Sequence, residues 1–143
     1  MHIFEYTYSF NRIMAKNIIV SNRLPIQLTK LDNSFEFTPT SGGLATGMNS
    51  VHKGQNSLWV GWPGINSDEI DKKIWAPLKK SLKKEGYFPV SLNHKEIEDF
   101  YYGLSNKSLW PLFHYFIEFS VFDEKQWKSY EEVNQKFADS VLL

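Results

Sequence analysis

The stretch "SNRLP", Ser21 to Pro25, follows directly on the apolar run "NIIV" and sets an arginine three residues behind it, with a proline two residues further on. An apolar run of that length reads as a buried strand. Pro25 restricts Leu24 to extended conformations, so the chain does not continue into a helix. Arg23 therefore stands at the mouth of a strand. A guanidinium so placed either forks onto a phosphate or carboxylate through parallel hydrogen bonds or closes a surface ion pair of little energetic worth. Position alone leaves both open. Gly42 and Gly43, in "TSGGLATGMNSV", precede Leu44, Met48 and Val51 at helical spacing. Such a pair lets backbone N–H groups approach a phosphate at a helix N-terminus, although most Gly-Gly pairs are simply loops. Of five tryptophans, Trp59, Trp75 and Trp127 fall at strand or helix spacing and read as core. Trp62 and Trp110 each flank a proline in an expected loop, where an indole face either packs or stacks on a sugar ring. His2, His52, His94 and His114 are isolated and lack metal-binding spacing. No GxGxxG, GxxxxGK[ST] or GxSxG pattern occurs, so the dinucleotide, P-loop and nucleophile-elbow chemistries have no signature here. Lys79, Lys80, Lys83 and Lys84 read as the wet face of a helix.

These residues need a scaffold, and the chain has the means to build one. Its 143 residues are 42% hydrophobic and 16% aromatic, enough for the core of one domain. Sixteen basic and sixteen acidic residues cancel, which disfavours a domain that grips nucleic acid by its backbone. The absence of cysteine removes disulfides, thiolate catalysis and thiolate zinc. No apolar stretch approaches the roughly 20 residues that span a bilayer, and "MHIFEYTYSFNRI" lacks the features of a secretory signal. Residues 1–13 read as a flexible or non-native extension, with Met14 the more natural start. Strands are expected at Asn17 to Ser21, in "SLWVGW" and in "YFPVSL", with "FEF" as one arm of a loose hairpin. A helix follows the glycine pair and stops at Gly54. Asp68 to Glu85 carries Ile70, Ile74, Leu78 and Leu82 at four-residue spacing, with Pro77 expected to kink or break it. Asn93 and Glu96 form a capping-box pattern ahead of "EIEDFYY", and "GLSNKSLWPLFHY" is expected as a loop. The last helix starts at Asp123 with Gln126 as reciprocal cap and a stripe of Trp127, Tyr130, Asn134, Phe137, Ala138 and Val141. Alternation of strand and helix predicts an α/β fold with a mostly parallel sheet, whose ligands sit beyond the carboxyl ends of the strands. The finish at "ADSVLL", without a closing turn, reads as the end of a fragment.

Taken in order, "IIVSNRLP", "SGGLATG", "LWVGWPG", "YYGLSNKSLWPLFHY" and "W..Y..VN..FAD" closely resemble the N-terminal part of the trehalose-6-phosphate synthases, glycosyltransferase family 20. The resemblance covers nearly everything from Ile18 to Asp139. It implies that residues 14–143 are part of the N-terminal, Rossmann-like, acceptor-side domain of a GT-B glycosyltransferase, with the C-terminal nucleotide-sugar domain absent. It implies retaining transfer of glucose from UDP-glucose to glucose-6-phosphate, giving α,α-trehalose 6-phosphate and UDP. Arg23 matches the arginine on the acceptor phosphate. Tyr101 matches the phosphate-contacting tyrosine of the family's "YYNGFSN", where this chain has Phe100, Tyr102 and Leu104 in place of Tyr, Asn and Phe. Trp62 and Trp110 match tryptophans lining the sugar pockets, and Gly42 and Gly43 the loop against the donor diphosphate. No cofactor or metal is implied, nor a nucleic-acid or membrane partner. A cytoplasmic location is implied, and homo-oligomerisation of the full-length protein stays open. The family's "HDYHL" block lies beyond this match, so the fragment alone is expected to be inactive. A non-catalytic, sugar-phosphate-sensing homologue is the alternative reading.

Overall fold

A computed structural model describes residues 17–31, 35–40, 42–54 and 57–142; the expected extension 1–13 and the start at Met14 lie outside them. Strand β1 (Asn17–Arg23) pairs in parallel with β4 (Ser57–Trp62), which pairs in parallel with β5 (Tyr87–Pro89). The order β1-β4-β5 puts the most apolar strand in the middle. Between β1 and β4 the chain makes an antiparallel hairpin, β2 (Ile26–Lys30) with β3 (Phe35–Pro39), and then helix α1 (Gly43–Gly54). Helix α2 (Lys72–Lys84) connects β4 to β5. The expected α/β architecture with a mostly parallel sheet is the one observed.

Period-two alternation along β4 divides the core between the two sheet faces. Val60 and Trp62 join Phe88, Ile97, Phe100, Val133 and Phe137 on one side. Trp59 joins Ile19, Leu24, Leu82 and Tyr87 on the other, with Met48 and Val51 of α1 packed against them. Helices thus cover both faces, as a parallel sheet requires. None of the described helices is long and apolar enough to cross a membrane.

The helices depart from the sequence reading in three places. Helix α2 starts later than expected, capped by Asp71, whose carboxylate accepts from Lys73 N–H at 2.7 Å, and it continues past Pro77 without a break. The proline removes one intrahelical bond. Packing of Trp75, Leu78 and Leu82 holds the helix in place, while Ile74 of the expected stripe is exposed.

The Asn93–Glu96 capping box forms with both of its bonds, at 2.9 and 3.0 Å, and opens α3 (His94–Glu96). The chain does not then loop out. It continues as a π-helical segment, Ile97–Leu109, into α4 (Trp110–Phe113). Tertiary contacts hold this wider helix: the Ser108 hydroxyl donates to the Val121 carbonyl, and Gly103 lies so close to Gln126 that a Cβ would come within 2.8 Å of its side chain.

Helix α5 (Glu124–Leu142) follows. Asp123 accepts from Gln126 N–H at 2.9 Å, but the Gln126 side chain packs toward Gly103 rather than returning as a cap. The buried face of α5 is Ser129, Val133 and Phe137, so the apolar stripe is rotated from the expected one and Trp127 is half exposed.

Candidate functional site

Where β1 ends, its backbone is held from three directions. The buried Trp59 indole N–H donates to Ser21 Oγ at 2.8 Å, and that hydroxyl donates to the Arg23 carbonyl at 2.6 Å. Leu24 N–H donates to the Trp62 carbonyl at 2.8 Å. The register slips between Val20 and Arg23, bringing Arg23 opposite Trp62. Gly61 makes this possible: a Cβ there would lie 2.8 Å from Leu24 N and 2.9 Å from the Arg23 carbonyl carbon.

The Arg23 side chain leaves this fixed backbone against a pair of aromatic rings. Its guanidinium carbon is 5.3 Å from the Trp62 ring centroid and 6.0 Å from that of Tyr101. The two rings are 5.3 Å apart and tilted at 58°. These are cation–π distances. Arg23 has no carboxylate partner among the described residues, and the one hydrogen bond of its side chain there runs from Nη2 to Gln27 Oε1 at 3.2 Å. Its Nε is buried and unpartnered. The surface-ion-pair reading of Arg23 therefore finds no partner among the described residues, and the cation stands with donors to spare.

Arg23 lines a cleft of about 540 Å³ with Ser21, Thr40, Gly42, Ala45 and Tyr101 among its walls. Gly42 caps α1, its carbonyl accepting from Thr46 N–H at 2.8 Å. Gly43 is the first helical residue, and the first turn carries no acidic side chain. The positive end of the α1 dipole is thus uncompensated beside the cleft that holds Arg23. One wall offers a guanidinium, the other a helix N-terminus, and both favour an anion.

The π-helical segment accounts for the third wall. Tyr101 and Asn106 both line the cleft. Five residues apart, they would lie about 140° apart around an α-helix of 3.6 residues per turn. With i→i+5 bonding they become neighbours on one face, and π segments often occur at functional sites.

Arg23, Tyr101 and Gly42 thus share one cleft, with Gly43 beside it. Trp62 is buried, and its indole N–H donates to the Ile65 carbonyl at 2.8 Å; it supports the guanidinium from behind. The structure does not bring Trp110 to this cleft. It sits at the start of α4, with its ring stacked on His114 at 4.1 Å. Gln27, Thr40 and Asn106 were not singled out from the sequence. Gln27, four residues from Arg23 across a proline turn, had a usable signal in that spacing; Asn106 had one only if the helix were known to be π.

A model of glycosyltransferase family 20 matches residues 15–143. The chain is 43% identical over 129 residues to an alpha,alpha-trehalose-phosphate synthase (UDP-forming) of Botryotinia fuckeliana, covering 89% of this chain and 24% of that one. It is 40% identical over 134 residues to a bifunctional trehalose-6-phosphate synthase/phosphatase of Thermoproteus tenax, covering 87% of this chain and 17% of that one. A solved alpha,alpha-trehalose-phosphate synthase (UDP-forming) from Burkholderia xenovorans, in complex with glucose-6-phosphate, superimposes with a TM-score of 0.61 at 26% identity, over 88% of this chain and 25% of that one. The chain spans about a quarter or less of the length of these relatives. It belongs to glycosyltransferase family 20.

Proposed function

We propose that this member of glycosyltransferase family 20 forms the acceptor side of a retaining glucosyl transfer. Glucose passes from UDP-glucose to glucose-6-phosphate, giving α,α-trehalose 6-phosphate and UDP. The observation that carries the reading is the Arg23 guanidinium. It lies within cation–π distance of Trp62 and Tyr101, lacks a carboxylate partner among the described residues, and lines a 540 Å³ cleft. In this reading Arg23 takes the acceptor phosphate through charge-assisted hydrogen bonds. Tyr101 closes over the same group. Trp62 keeps the cation in place, and Gly42 and Gly43 leave the α1 N-terminus bare for the donor diphosphate. The relative solved with glucose-6-phosphate supports the choice of acceptor. The chemistry asked of these residues is positioning and charge stabilisation, for which rigidly held donors are suited.

Calorimetric titration of the chain with glucose-6-phosphate and, separately, with UDP-glucose tests the assignment. Replacing Arg23 by Ala removes a charge-assisted contact worth about 1.5–3 kcal/mol. Glucose-6-phosphate binding should weaken roughly ten- to a hundredfold, with UDP-glucose binding changing far less. Equal loss for both ligands would make Arg23 a structural residue and defeat the acceptor assignment.

A further inference from the structure

We propose that Gln27 is a positioning residue for the anion site, a neutral brace that aims the Arg23 guanidinium without discharging it. The inference rests on the acceptor-site reading and adds a residue to it. Cation–π contact with Trp62 and Tyr101 keeps the guanidinium against the two rings, but that contact alone leaves it free to turn. The Nη2 corner removes this freedom. It donates to Gln27 Oε1 at 3.2 Å, and it lies so near Gly64 that a Cβ there would be 2.7 Å from it. Gly64, at φ +82°, has the conformation and the bareness to accept this contact. Gln27 is itself fixed by its strand, because the next residue, Leu28, donates its N–H to the Pro63 carbonyl at 2.9 Å. Brace and backstop therefore share one turn. With one Nη2 hydrogen engaged and Nε buried, both hydrogens of Nη1 and the second of Nη2 are left for an incoming anion.

The residue type matters as much as its place. A carboxylate at position 27 would also accept from Nη2, but it would form an ion pair and compete with the ligand for the guanidinium. An amide carbonyl holds the cation and leaves its charge uncompensated.

The test titrates the chain with inorganic phosphate and with glucose-6-phosphate, comparing wild type, Gln27→Met and Gln27→Glu. The Arg23 side-chain Nε–H resonance is followed by NMR in each. Gln27→Met keeps the length and removes the acceptor. Both anions should bind about three- to tenfold more weakly, with the Nε–H resonance shifted and broadened and the backbone amide spectrum otherwise kept. Gln27→Glu should weaken both anions further while keeping the Nε–H resonance sharp. This is a divergence that a merely structural role would not produce. Binding in both variants equal to wild type overturns the brace. If either variant fails to fold, the other decides by the same readouts. Absence of anion binding by the wild-type chain defeats the acceptor-site reading itself and takes the brace with it.

Discussion

The two long walls of the cleft are built on opposite plans. On the β1–β4 side the glycines are there because space is short. A Cβ on Gly61 would meet Leu24 N, the Arg23 carbonyl carbon and the Ser21 carbonyl oxygen at 2.8, 2.9 and 3.0 Å, and one on Gly64 would strike Arg23. On the α1 side, a Cβ on Gly42, Gly43 or Gly47 would meet nothing within 4 Å among the described residues, so no atom there requires these glycines. One wall is a packed socket that orients a cation. The other is bare backbone, open to whatever enters. Glycine has a packing reason on the first wall and, on our reading, a ligand reason on the second.

The largest expected effect comes from breaking the packed wall while leaving the open one intact. Gly61→Ala forces a methyl group onto backbone atoms that cannot swing aside and should cost about 1–3 kcal/mol in urea unfolding, as overpacking does. Gly43→Ala enters empty space and should stay within about 0.5 kcal/mol of wild type. Similar losses at both positions would erase the distinction between the walls.

A smaller effect concerns the anchor of the open wall. Helix α1 is bare at its N-terminus but pinned near its other end by His52. This buried ring stacks on Tyr87 at 4.7 Å and meets Trp59 edge-on at 5.6 Å. Burial holds its pKa below the ordinary histidine value, with the neighbouring Lys53 charge acting in the same direction and a hydrogen bond involving the Glu85 backbone acting against both. The unfolded chain therefore takes up a proton that the folded chain resists. The stability involved is fully present above about pH 6.5 and is lost as pH falls through the folded value. Urea midpoints should drop on going from pH 7.5 to 5.5, and His52→Phe should flatten that drop. An undiminished pH dependence in the variant would free α1 of this anchor.

What could be read from the sequence was local. A strand that ends in Arg-Leu-Pro and a helix that begins at Gly-Gly are decided by neighbours within a few residues, so Arg23, Gly42 and the alternation of strand and helix follow from pattern. The capping box at Asn93 and Glu96 is equally local. Features set by partners distant in sequence could not be read this way. The π-helical run depends on Ser108 reaching Val121 and on Gly103 admitting Gln126. The buried face of α5 then follows that contact rather than its own most aromatic stripe. Trp110 flanks a proline, which left packing and sugar stacking both open, and the continued helix places it in α4 with its ring on His114. Gln27 carries a signal in its four-residue spacing from Arg23, but the contact itself depends on a register slip and a turn that only the paired strands reveal.

The central claim is that the cation held in the packed socket is the anion-binding centre of this chain. A crystal structure of the chain grown with glucose-6-phosphate tests it atom by atom. The account predicts phosphate oxygens within hydrogen-bonding distance of Arg23 Nη1, with Tyr101 beside them, Gln27 still on Nη2 and the sugar directed into the cleft. Phosphate density on the lysines of α2, with Arg23 unchanged and the cleft vacant, would contradict it.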